Sequence, residues 1–237
     1  MAAFSGQYND FDPFVAPDGK RLYFSSNRPV DASGRPKNYF DVWFVEQTRA
    51  GWGPPQHLDS PVNTPAQEFY PSVTNDGTLY FSSTRAGGAG GADIYRARLV
   101  EGRYTEAENL GDSINAPTSE GDPYISPDED YLIFVSYNRQ GGHGDGDLYI
   151  SVRRDGHWTK AENLGPEINS TALDFCPIVS PDGKWLYFTS ERGFADSPQP
   201  RRMTSSELAR ALQGPGDGLG DIYRVDAKTV LSMYLGK

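Results

Sequence analysis

The chain has 237 residues, 37% of them hydrophobic and 13% aromatic, and a formal net charge of −10. No apolar run approaches the roughly 18 residues of a membrane-spanning helix, and the aromatic content argues for a folded chain over a disordered one. The acidic balance repels phosphate backbones; it argues against nucleic-acid partners and for a protein, a peptide or a cation. A single cysteine, Cys176, excludes an internal disulfide, and the opening MAAFSGQYND has neither the basic nor the apolar region of a secretion signal.

In chain order, one composite segment recurs. DFDPFVAPDGKRLYFSS begins at Asp10, EFYPSVTNDGTLYFSS at Glu68, EGDPYISPDEDYLIFVS at Glu120 and DFCPIVSPDGKWLYFTS at Asp174. Their anchor prolines, Pro13, Pro71, Pro123 and Pro177, are spaced by 58, 52 and 54 residues. Each is followed by a second anchor: DVWFV, DIYRA, DLYIS and DIYRV. GWGPPQHL, RYTEAENL and HWTKAENL follow three of them. DPFVAPDG predicts a strand running into a hairpin turn, with Pro17 presetting φ and Gly19 accepting positive φ. KRLYFSS is the return strand. Its consecutive Leu22, Tyr23 and Phe24 require burial on both faces. DIYRARLV is a third strand, a turn at Glu101–Gly102 follows, and the polar RYTEAENL is a fourth strand fit for a sheet edge.

Four antiparallel strands repeated at a period near fifty predict the blades of a β-propeller, an all-β fold, in one domain. The blade units run over 10–58, 68–110, 120–164 and 174–226. In blade four a long insert, 193–220, contains TSSELARALQ, a predicted short helix capped by Thr204 and Glu207 and ended by Gly214, with Leu208, Ala211 and Leu212 as its apolar stripe.

The repeated P-D-G-K-x-L-Y-F-x-S element followed by D-(I/L)-Y resembles the WD40-like (PD40) repeats of the TolB type, over residues 8–226. The second copy departs from the pattern with Asn75 for proline, the third with Glu129 for glycine. The resemblance implies docking of protein partners, often in the bacterial envelope, in the periplasm or outside the cell. It also implies longer relatives with additional N-terminal blades. Two ways of closing the ring follow. Either Ala3–Gln7 pairs with DIYRVD and completes four blades, or the chain is part of a larger ring. The C-terminal TVLSMYLGK can also cover that edge.

Strand alternation places three sets of charges on one rim. They are Asp10, Glu68, Glu120 and Asp174 before strand one; Arg28, Arg85, Arg139 and Arg192 after strand two; and Asp41, Asp93, Asp147 and Asp221 before strand three. Arginine forks suit carboxylates and can pin neighbouring loops, or the rim can hold a ligand beside the channel. The blade-four insert adds Arg201 and Arg202. In HGDGD, His143, Asp145 and Asp147 offer alternating ligands in a calcium-like pattern; no cofactor is otherwise indicated. His57 and His157 are expected on the opposite side of the disc. Cys176 reads as a small buried hydrophobe, and the four tryptophans as packing. A catalytic site needs different groups in one place and so breaks repeat symmetry; no such constellation stands out. The expected function is therefore a non-catalytic module docking a protein or peptide at the acidic, arginine-studded rim. The alternative is a propeller enzyme, a hydrolase or polysaccharide lyase, with its site at the channel mouth under the blade-four insert.

Overall fold

A computed structural model describes residues 6–31, 34–193, 203–211, 214–217 and 219–236. Four antiparallel blades form a four-bladed β-propeller. Blade one comprises β1 (Asp10–Val15), β2 (Arg21–Ser26), β3 (Asp41–Thr48), β4 (Gly51–Trp52) and β5 (Gln56–His57). Blade two comprises β6 (Glu68–Val73), β7 (Leu79–Ser83) and β8 (Asp93–Ala97), a small hairpin of β9 (Leu99–Val100) and β10 (Arg103–Tyr104), and the edge strand β11 (Glu108–Asn109). Blade three has β12 (Ser119–Ile125), β13 (Tyr131–Tyr137), β14 (Gly146–Arg154), β15 (His157–Trp158) and β16 (Glu162–Asn163). Blade four has β17 (Asp174–Val179), β18 (Trp185–Ser190), the insert helix α1 (Ser205–Ala211), β19 (Asp221–Asp226) and a terminal helix α2 (Ala227–Leu235). The expected turns are present: Gly19 donates to Ala16 O at 2.8 Å with φ of 70°, and Glu101–Gly102 has positive φ at both residues.

The blades stack because the middle strands are apolar on both faces. Tyr23, Val42 and Phe44 of blade one pack with Leu79, Phe81 and Tyr95 of blade two. Tyr80 and Ile94 pack with Leu132, Phe134 and Tyr149. Ile133, Leu148 and Ile150 pack with Leu186 and Phe188 of blade four. Each such side chain contributes about 1.5–3 kcal/mol on burial. Blade four departs from this pattern: β19 alternates, and Ile222 on its far face is 78% exposed.

The fourth strands are only two residues long, and a buried asparagine completes their work. Asn63, Asn115 and Asn169 each accept from the backbone N–H of Val42, Ile94 or Leu148 at 2.8 Å and donate back to the same residue's carbonyl. The side-chain amide thus stands in for one peptide unit of an edge strand.

Blade four ends in α2, which packs against blade three as well. Asp226 caps it by accepting from Thr229 N; Ala227, Val230, Leu231 and Tyr234 are buried, and Arg154 donates to the carbonyls of Tyr234 and Leu235. The C-terminal segment therefore covers part of blade four as a helix. Among the described residues β19 pairs only with β18, and Ala3–Ser5 of the expected closing strand lie outside them. In α1 the expected capping box is present: Thr204 N and Oγ1 both donate to Glu207 Oε2 at 2.8 Å, and Glu207 N donates to Thr204 Oγ1.

Candidate functional site

The rim charges serve mainly as internal struts. In blade one, Ser26 Oγ and Arg28 Nη2 donate to Asp10 Oδ1 at 2.6 and 2.7 Å. In blade two, Ser83 and Arg85 donate to Glu68 Oε1, while Thr64 N from the preceding linker donates to Oε2. In blade four, Arg192 donates to Asp174 Oδ1 and Ser170 N to Oδ2. Blade three is looser: Ser136 and Ala116 N fill Glu120, and Arg139 turns to Ile114 O at 2.9 Å. Glu68, Glu120 and Asp174 are fully buried, and burial raises the Glu120 carboxyl. The guanidinium planes lie over aromatic rings: Arg85 on Tyr95, Arg139 on Tyr149, Arg192 on Tyr223.

The third-strand aspartates close the loops before them. Asp93 accepts from Ala89 N, Gly90 N and Asn109; Asp147 accepts from His143 N, Gly144 N and Asn163. The HGDGD oxygens of Asp147 are therefore occupied by the fold, and no group of three His, Cys, Asp or Glu with metal-binding geometry occurs among the described residues. His57 corrects an expectation. It lies on the rim side, its Nε2 2.7 Å from Asp41 Oδ2, because β5 pairs with the start of β3. Burial, foremost, lowers its pKa. Arg201 and Arg202 lie outside the described residues.

The chemically unusual groups lie between the rim and the hairpin turns, where the first strands of all four blades meet. Asp12, Tyr70, Asp122 and Cys176 each precede an anchor proline, and each has a left-handed φ, between 50° and 55°. The register slips at the same place in every blade, so these residues form four matching bulges. A bulge re-aims its side chain, and here all four line a chamber of about 240 Å³ together with their prolines, Phe14, Tyr124 and Ile178. Cys176 N donates to Asp122 Oδ2 at 2.7 Å. Burial, then the neighbouring Asp122 charge, pushes Asp12 up to about 8. Burial pushes Asp122 up to about 6 and raises the Tyr70 and Tyr137 phenols and the Cys176 thiol. Cys176 is thus a chamber residue, not merely a filler of a strand.

Sequence reasoning singled out what repeats and so passed over this position. Its signal was variation: Asp, Tyr, Asp and Cys at one site, between neighbours that recur. Beside the chamber, Phe11, Phe40, Phe69 and Tyr70 form a half-buried aromatic cluster. Phe11 meets Phe40 edge-on at 4.7 Å, and Phe69 meets Tyr70 at 5.0 Å. A second cavity, of about 480 Å³, lies by the blade-four insert, lined by His143, Ser170, Thr171, Arg192, Pro215 and Tyr223.

No family model matches the chain, and no curated protein matches it. Solved structures do. An α-L-arabinofuranosidase from Lactobacillus brevis aligns with TM-score 0.50 and 13% identity over 80% of this chain and 67% of its own. A prolyl endopeptidase aligns with TM-score 0.51 and 14% identity over 94% of this chain and 26% of its own. Prolyl oligopeptidase B from Galerina marginata aligns with TM-score 0.50 and 13% identity over 91% and 24%. The chain spans about a quarter of the length of these two peptidases, and the likeness is one of fold.

Proposed function

We propose that the chain is a non-catalytic binding module of the TolB-type, WD40-like class, which docks a protein or peptide segment at the channel mouth within the charged rim. One observation carries this reading: the half-buried cluster of Phe11, Phe40, Phe69 and Tyr70 beside the chamber. Aromatic side chains held by a rigid frame are the anchors that dominate protein interfaces. The buried struts from Asp10–Arg28 to Asp174–Arg192 hold that frame, and the net charge of −10 favours a basic segment. Selection of a displayed peptide library on the full chain tests it. Enriched peptides should lose about tenfold in affinity, about 1.4 kcal/mol, against Phe11→Ala and Phe69→Ala. Peptides bound equally well by both variants would place docking elsewhere.

The second reading, a propeller hydrolase or lyase, draws on the cavity of about 480 Å³ beside the blade-four insert. Turnover of a chromogenic ester or a polysaccharide that disappears in His143→Ala would move the function there.

A further inference from the structure

Two carboxylate oxygens in the central chamber stand unfilled, a state shared among the described residues' carboxylates by Asp41 Oδ1 at the rim. Asp12 Oδ2 and Asp122 Oδ1 are both buried without a hydrogen-bond partner, and Asp122 is 5% exposed. The buried carboxylates of Glu68, Asp93, Asp147 and Asp174 have both oxygens filled by N–H or O–H donors. An unfilled buried acceptor costs about 1–3 kcal/mol; the Tyr70 hydroxyl and the Cys176 thiol are the neutral donors beside Asp122, and the described lining holds no cationic donor. Asp12 and Asp122 hold the same position in blades one and three, which face each other across a four-bladed ring. The remaining wall is Pro13, Pro71, Pro123, Pro177, Phe14 and Ile178 with Tyr70, Tyr124 and Cys176; proline has no N–H, and no Arg or Lys is among the described lining residues.

We propose that the chamber binds an alkylammonium group, whose N–H donors meet Asp12 Oδ2 and Asp122 Oδ1 while its carbon stem lies against the prolines, Phe14 and Ile178. Two acceptors approaching from opposite walls suit the spread donors of an ammonium better than the flat fork of a guanidinium. A chamber of about 240 Å³ has room for a four-carbon stem. The proposal deepens the docking reading and rests on it for the source of the amine, a lysine side chain of the docked segment.

Proton balance follows from the same groups. With Asp12 raised to about 8 and Asp122 to about 6, the empty chamber at pH 7 holds one proton, on Asp12. The entering ammonium keeps its own protons, and Asp12 releases one to solvent. The other titratable groups facing the pair are Tyr70 on β6, Tyr137 on β13 and Cys176 on β17, with Glu191 acting on Tyr137. Burial keeps the two phenols and the thiol neutral through this pH range.

Calorimetry of the full chain with n-butylammonium chloride and with n-butanol tests the proposal. The ammonium should bind at least tenfold more tightly than the alcohol and gain more than tenfold in affinity from pH 6 to pH 8. At pH 7, two buffers of different ionisation enthalpy should report release of about one proton. Asp122→Asn should weaken the ammonium at least tenfold and leave the alcohol unchanged. Equal binding of amine and alcohol overturns the proposal, as does binding without proton release; neither result depends on a variant. A selected lysine peptide should displace n-butylammonium, and its norleucine analogue should not. A peptide that binds at the mouth without displacing the amine would overturn the lysyl source and leave docking standing. Amine binding with no selectable peptide would do the reverse.

Discussion

Asp12 carries a cost that varies with pH. Its carboxyl is raised from 3.8 to about 8 in the folded chain, so the native state binds a proton that the unfolded chain has already released. Stability contributed by that proton is complete below about pH 4 and declines, by about 1.4 kcal/mol per unit at most, as pH rises towards 8. The melting temperature should therefore fall between pH 5 and pH 8, and Asp12→Asn should flatten the slope in a thermal scan. His57, whose pKa is lowered, has the opposite sign below 6.5 and is common to both proteins; the difference between wild type and variant reports Asp12 together with its coupled neighbour Asp122, raised in the same sense. An unaltered slope in the variant would refute the assignment.

Glu129 is a second costly residue. It sits at φ 61° where the other turns of this kind use glycine. Its carboxylate accepts from Tyr80 Oη at 2.6 Å and pairs with Arg96 and Arg153, tying blade two to blade three. The tie offsets the strained backbone. Glu129→Ala should destabilise the chain by about 3 kcal/mol, because it removes the carboxylate that Arg153 and the Tyr80 hydroxyl share, while Arg96 keeps Glu108. Glu129→Gly should cost about 1 kcal/mol less, since glycine relieves the left-handed strain. Denaturant melts of the two variants check the order, and equal losses would show that the backbone is unstrained.

Among the elements, the third strands depend on their asparagines. Asn115 satisfies both the N–H and the carbonyl of Ile94, which is fully buried. Asn115→Ala should cost about 1–3 kcal/mol, the desolvation of the orphaned Ile94 N–H, since the Ile94 carbonyl still accepts from Leu110 N. A loss below about 0.5 kcal/mol in urea melts would mean that water replaces the amide. This clamp was present in the sequence as PVN, SIN and EIN before each new blade, but nothing in its spacing distinguishes a clamp from a turn. The hairpins and their turns were legible because Pro, Gly and paired bulky residues encode them locally. The shortness of the fourth strands was not, since it depends on an asparagine that reaches back 21 residues to the third strand. The same holds for α2: TVLSMYLGK has no strong helical signature, and it is helical because blade three's Val152, Leu164 and Ile168 offer it a surface.

In the whole molecule, stability is distributed over stacked interfaces, as in other repeat folds. Blades two and three are covered on both faces, whereas blade four shows Ile222 at 78% exposure. Hydrogen exchange should therefore be faster in β17–β19 than in β12–β14, read peptide by peptide by mass spectrometry. Equal protection would show that blade four is held from both sides.

The residues alone determined the four repeated units and the order of the hairpin strands within each, because hairpins and repeats are local or periodic properties of a chain; they left the size of the ring and the use of the rim charges open. Only the tertiary structure decided what those charges do and where unusual chemistry collects. Asp12, Tyr70, Asp122 and Cys176 are more than 50 positions apart in sequence and become neighbours only when four strands converge. Desolvation, which raises their pKa values, is a property of the cleft where the four strands converge, and no single strand possesses it.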